Sequence, residues 1–147
     1  MGSVKSLNGQ LVGLDTAPLI YYIEEHKDYI DKLDLFFDAL NNIAFRVVTS
    51  TVTVLEVLVH PLQLGVESLA HRYNDILLSS PNISLVPVTL GIAQEGAELR
   101  ARYRLKTPDA IQLATAISEG ATAFITNDEG FPDDCGIEIV HLCNQSD

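Results

Sequence analysis

Positive charge is scarce in this chain: nine lysines and arginines stand against twenty acids in 147 residues, a formal net charge of −11. That balance excludes a passive nucleic-acid coat and points to a basic partner or a bound cation. Cysteine is equally sparse. The two present, Cys135 and Cys143, are too few and too close to one end to frame a disulfide scaffold, so both are expected as reduced thiols of a cytoplasmic protein. Long hydrophobic runs are missing: nothing approaches the roughly 20 apolar residues of a membrane span, and no secretory signal is evident. The opening Met1-Gly2-Ser3-Val4-Lys5-Ser6 matches an N-myristoylation pattern only formally, a short match that chance supplies. Walker A, GxGxxG, GxSxG, CxxC and HExxH patterns are absent as well. Nucleotide-cofactor, serine, thiol and paired-histidine zinc chemistry are left without support.

What is present fits one domain over residues 1–147, with a core over about residues 11–142 and no repeat or linker. Leu11-Val12-Gly13-Leu14 predicts a short buried strand closed by Asp15, with a helix through Leu19-Ile23 behind it. Between Asp28 and Ile43, Tyr29, Ile30, Leu33, Phe36, Phe37 and Leu40 recur at helical spacing. Asp28, Asp31, Asp34 and Asp38 lie off that stripe, as solvated helix surface does. Arg46-Thr49 predicts a second strand, and Ser50 or Thr51 caps a helix that Pro61 to Gly65 breaks. Val66-Leu78 resumes a helix, Ile83-Val88 is a third strand, and a helix from Thr89 runs to about Leu105. A helix from Thr107, strands at Ala121-Ile125 and Ile137-Val140 and a polar tail complete the chain. Short apolar strands alternating with helices imply a three-layer α/β/α domain with a mainly parallel sheet.

Acids gather at particular places in that pattern. Asp109 follows Thr107, a good N-cap, and Pro108, suited to the first helical position, so it falls where the helix dipole favours negative charge. Four of the nine bases, Arg100, Arg102, Arg104 and Lys106, lie just before it. Their ordinary meaning is a solvated surface and a favourable helix end, and contact with RNA phosphates is the functional alternative. Glu56 sits within Val54-Leu55-Glu56-Val57-Leu58, on an exposed edge or in a polar pocket. His60 lies four residues on, but a lone acid-histidine pair is a weak metal signal, and a residue before Pro61 reads as a helix end. Asp15 and Asp128 both close strands.

In an open α/β sheet the site lies beyond the carboxyl ends of the strands, where strand order reverses. Asp15, Glu56, Asp109 and Asp128 are all expected near that edge. Four carboxylates without basic partners repel one another unless a cation neutralises them. Oxygen-only donors select a hard ion, Mg²⁺ or Mn²⁺, which activates water for hydrolysis of a phosphodiester.

These residues carry a family resemblance. The chain resembles PIN-domain proteins and is similar to the VapC-type toxin ribonucleases. The first acid stands in Leu14-Asp15-Thr16-Ala17-Pro18-Leu19-Ile20, and the second in Thr53-Val54-Leu55-Glu56-Val57-Leu58. The third stands in Pro108-Asp109-Ala110-Ile111-Gln112-Leu113-Ala114-Thr115-Ala116, and the last in Thr126-Asn127-Asp128-Glu129-Gly130-Phe131. The third motif is the distinctive one, and the ordered set is strong. The resemblance implies strand order 3-2-1-4-5 and a metal-dependent endoribonuclease. Asp15, Glu56, Asp109 and Asp128 would hold Mg²⁺ or Mn²⁺, with Asp15 beside Asp128. Thr16 and Thr126 would orient water or a carboxylate and Asn127 would position its loop, although such residues at strand ends also serve turns and caps. The expected partners are an RNA substrate, a basic antitoxin protein and a second copy of the chain, with no membrane.

Two other classes compete. A catalytically silent PIN-like module for protein or RNA binding would be favoured by a missing acid, and none is missing. A phosphatase of the haloacid-dehalogenase type needs an Asp where Ala17 stands, and a response-regulator receiver needs a Lys near the last strands, where there is none.

Overall fold

The computed structural model describes residues 4–142; Gly2, Ser3 and Cys143 lie outside that range. A short 3-10 turn, Val4–Leu7, leads into β1, Leu11–Leu14. Then come α1 (Thr16–Ile23), α2 (Ile30–Asn41), β2 (Arg46–Ser50), α3 (Thr51–Leu64) and α4 (Glu67–Ser79). The second half is β3 (Ile83–Val86), α5 (Leu90–Tyr103), α6 (Thr107–Ser118), β4 (Ala123–Thr126) and β5 (Glu138–His141). The strands form one sheet in the order β3-β2-β1-β4-β5, and every pairing is parallel. The expected three-layer α/β/α sandwich is therefore present. Among the described residues no helix is long and apolar enough to cross a membrane.

The period-two alternation of the strands builds two cores. Val12 and Leu14 of β1, Val47 of β2 and Ala123 and Ile125 of β4 face a cluster filled by Leu19, Leu33, Phe36, Phe37, Leu40, Val57 and Tyr73 from α1 to α4. Phe124 faces the other way, into a cluster with Ile92 and Leu99 of α5 and Leu113, Ala114 and Ala116 of α6. Burial on both faces is why the central strands read as nearly continuous apolar runs. At Gly13 the second layer comes very close: a Cβ there would lie 2.5 Å from the Ala116 Cβ and 2.9 Å from Phe124 Cδ1. The residue is glycine because α6 rests directly on the strand.

Asp28, Asp31, Asp34 and Asp38 are all exposed, as helical spacing predicts. Several boundaries shift by a residue or two from the sequence expectation, as at β4, Ala123–Thr126 where Ala121-Ile125 was expected, and three of the shifts have a clear physical reason. The helix expected to break at Pro61 continues to Leu64 and ends at Gly65, whose φ of 71° supplies the left-handed cap. A proline in the last turn forfeits few helical hydrogen bonds; its ring is buried, and its carbonyl accepts from Val66 N at 2.9 Å. Thus His60 lies inside α3 rather than at its end. Second, α6 begins one residue earlier than expected: Lys106 is the N-cap without a side-chain capping bond, and Thr107 and Pro108 lie within the first turn. Third, β3 stops at Val86, before Pro87, which has no N–H for the ladder.

Candidate active site at the carboxyl edge of the sheet

β1 feeds a crossover to β2 on one side and is paired with β4 on the other, so the reversal of strand order falls between β1 and β4. Asp15 sits there. Its backbone N–H donates to Ile125 O at 2.9 Å, extending the β1–β4 ladder by one residue. Its carboxylate caps α1 by accepting from Thr16 N at 2.8 Å, and its other oxygen accepts from the Thr126 hydroxyl at 2.7 Å. The same Thr126 oxygen accepts from Asp128 N at 3.0 Å, and Asp128 Oδ1 accepts from Gly130 N at 2.8 Å. Thr126 therefore joins the first acid to the loop bearing the fourth.

Glu56 projects from α3 toward Asp15 rather than lying on an exposed edge. Its Oε1 accepts from the Thr16 hydroxyl at 2.6 Å and from Gln112 Nε2 at 3.0 Å. Thr16 thus holds Asp15 with its backbone and Glu56 with its side chain. Asp109, in the first turn of α6, is half-buried, and its carboxylate accepts no hydrogen bond among the described residues.

The charges are coupled. Burial pushes the Asp15 carboxyl up to about 6, against the hydrogen bonds from Thr126 and Thr16 and with help from the negative charges of Asp109 and Glu56. Burial also raises Asp109, followed by the charges of Asp128 and Glu56, with Lys106 acting in the opposite sense. The four acids share one electrostatic environment. Among the described residues, however, no three His, Cys, Asp or Glu side chains stand at metal-ligating distances. The donor set still fits a hard divalent cation. It is oxygen-only, and Glu56 Oε2, Asp128 Oδ2 and both Asp109 oxygens carry no hydrogen bond among the described residues.

The buried Asp15 charge has a measurable consequence. Its folded pKa lies above the ordinary carboxylate value of 3.8, so protonation favours the native state; that stability is complete below the lower value and is lost as pH rises through about 6. The metal-free Asp15→Asn protein is expected to exceed the wild type by about 3 kcal/mol at pH near 7.5, since a shift of one unit is worth about 1.4 kcal/mol. The gap should close at acid pH. Urea melts in chelator at both pH values measure it; a gap that does not change with pH would exclude the buried charge as its source.

Both polar atoms of the Asn127 amide are buried without a hydrogen-bond partner among the described residues, a state that native structures keep rare. Arg100 donates to Leu105 O at 2.8 Å and to the Thr107 hydroxyl at 3.1 Å, so its guanidinium closes the α5–α6 corner. Arg102 is exposed, with its guanidinium 5.8 Å from the Tyr103 ring centroid. Arg104, at φ 60°, ends α5, and it and Lys106 are exposed. The sequence reading missed Gln112, Thr53 and Thr49. The signal for Gln112 was an amide in an otherwise apolar Ala110-Ile111-Gln112-Leu113-Ala114 run that is now seen to be buried.

A PIN domain family model matches residues 12–134. No curated protein matches the chain. Among solved structures, the chain is similar to one in a toxin-antitoxin complex from Klebsiella pneumoniae, at 24% identity and a TM-score of 0.66, covering 91% of this chain and 98% of that one. It is similar to one in VapBC-5 from Mycobacterium tuberculosis, a member of the VapBC family of toxin-antitoxin systems, at 25% identity and a TM-score of 0.58, covering 88% and 98%. It also resembles one in VapBC2 from Rickettsia felis bound to a DNA fragment from its promoter, at 17% identity and a TM-score of 0.70, covering 89% and 98%.

Proposed function

The chain belongs to the PIN domain family, and from that premise we propose that it is a metal-dependent endoribonuclease, the toxin of a toxin-antitoxin pair acting in the cytoplasm. The observation that carries the proposal is the electrostatic coupling of Asp15, Glu56, Asp109 and Asp128 at the reversal of strand order. These acids would hold Mg²⁺ or Mn²⁺. A divalent ion in such a site supplies an acidified water and stabilises charge on the phosphoryl oxygens. Thr126 fixes Asp15 to the Asp128 loop, Thr16 fixes Asp15 to Glu56, and Asp109 is the acid whose side chain is freest to turn toward a cation. The exposed Arg102, Arg104 and Lys106 lie just ahead of α6 and would meet RNA phosphates, adding affinity rather than sequence choice.

A basic antitoxin is the proposed protein partner. A groove of about 400 Å³ is bounded by α1, α2 and α4, with Ile23, Ile30 and Ile76 as apolar lining, three acids, Glu25, Asp34 and Asp75, and Arg72, whose guanidinium donates to Ile23 O at 3.0 Å. That combination suits an amphipathic basic segment, and the named complexes above include antitoxins of their own. The silent-module reading is favoured by one observation: among the described residues no three of these side chains form a group that could hold a metal ion.

Metal binding separates the two readings. Mn²⁺ at about 100 times its dissociation constant should stabilise the wild type by about 2.7 kcal/mol, a rise in Tm of roughly 5–10 °C for a chain of this size. The rise should be far smaller in Asp15→Asn. Equal shifts in both proteins would remove Asp15 from the ligand set, and no shift in either would favour the silent module.

A further inference from the structure

Behind Glu56 lies a buried polar chain in a setting otherwise apolar. Gln112, only 2% exposed on α6, donates from Nε2 to Glu56 Oε1 at 3.0 Å and to the Thr16 hydroxyl oxygen at 2.5 Å. Its Oε1 faces the Thr53 hydroxyl at 3.1 Å; Thr53 lies 2.7 Å from the Thr49 hydroxyl, which reaches Leu14 O at 2.9 Å. The amide can be oriented only one way. A carboxylate oxygen only accepts, and the single Thr16 hydroxyl proton is already given to it, so both neighbours require the NH₂ group of Gln112. The amide oxygen then faces Thr53. Thr49 and Thr53 have two protons for three contacts, so one of those contacts is without a hydrogen at any instant.

This arrangement ties three elements to one acid: α3 through Glu56 and Thr53, α6 through Gln112, and the start of α1 through Thr16. It pins Oε1 of Glu56 and leaves Oε2 without a hydrogen bond among the described residues. Burying a primary amide in a helix that packs on the sheet is costly unless it is satisfied, and a leucine would serve the packing alone. We propose that Gln112 is a positioning residue for the cation site, holding Glu56 by one oxygen so that the other faces the ion. The role rests on the nuclease reading above.

The test is a double-mutant comparison read by Mn²⁺ titration of the purified chain, with cleavage of a mixed-sequence fluorophore-quencher RNA as a second readout. Gln112→Met keeps the volume and removes both hydrogen-bonding functions. It should weaken Mn²⁺ binding about 10-fold, as loss of a ligand's supporting partner does, and lower kcat at saturating Mn²⁺ about 10-fold with KM changed less than about 2-fold. In a Glu56→Gln background the same substitution should weaken Mn²⁺ binding less than about 2-fold, because its effect passes through Glu56. Unchanged affinity in Gln112→Met, or equal weakening in both backgrounds, would overturn the positioning role while wild-type binding and cleavage left the nuclease reading standing. A wild type that neither binds Mn²⁺ nor cleaves would overturn both. If circular dichroism shows that Gln112→Met does not fold, Thr53→Val, one contact further from the acid, makes the same comparison. Its expected weakening is about 3-fold, and no weakening overturns the role.

Discussion

Asp109→Asn is expected to lower Mn²⁺-dependent RNA cleavage by at least about 100-fold while the protein stays folded. The size follows from removing one charged contributor to a site whose work is electrostatic. The retention of fold follows from the surroundings of Asp109. Its carboxylate has no hydrogen-bond partner to lose among the described residues, and its charge is opposed by burial and by Asp128 and Glu56. The helix dipole favours an acid in this first turn by about 0.3–1 kcal/mol, which the relief of those repulsions offsets. Metal-free Asp109→Asn should therefore melt no lower than the wild type. The assay is cleavage by protein purified in parallel with the wild type and with Asp15→Asn as a blank. Full activity in Asp109→Asn would refute the site assignment whatever the state of the other acids.

The strands were legible in the sequence because each is a short, mostly apolar run, four of the five end in or are followed by a polar or acidic residue, and parallel pairing buries both faces of the central ones. Asp15 was legible for the same reason: it follows Leu14 and starts a helix, and it does cap α1. The end of α3 was not legible, since the helix-breaking tendency of Pro61 is local while the burial of its ring is not. Thr107 looked like the cap of α6 because caps favour hydroxyls. In the fold its hydroxyl accepts from Arg100, seven residues back, and Lys106 takes the cap position. The role of Glu56 was undecided because helical spacing does not say which neighbour lies across the edge of the sheet; Thr16 and Gln112, forty and fifty-six residues away, decide it. The coupling of the four acids could be anticipated from their order along the chain. Their side-chain arrangement, in which no three among the described residues form a group that could hold an ion, could not, because it depends on side-chain rotation.

Gly13→Ala is expected to destabilise the fold by about 3 kcal/mol, the upper end for inserting a methyl group into a packed core, and to lower Tm by roughly 6–12 °C. The added Cβ would fall 2.5 Å from the Ala116 Cβ and 2.9 Å from Phe124 Cδ1, so α6 must lift from β1 or the Phe124 ring must turn. Lifting α6 also moves Asp109 and Gln112 away from Asp15, just past the end of β1, and from Glu56 on α3. The variant should thus lose Mn²⁺ affinity as well as stability. A second substitution separates the two displacements. Ala116→Gly removes the nearer of the two obstructing atoms at a helix-propensity cost of about 1 kcal/mol. Gly13→Ala combined with Ala116→Gly should then be about 1 kcal/mol more stable than Gly13→Ala alone and should recover most of the Mn²⁺ affinity, because the helix can settle back onto the strand. If the two losses simply add, the Phe124 ring and not the helix is what yields, and the position of α6 above the sheet is not what brings the third acid to the first.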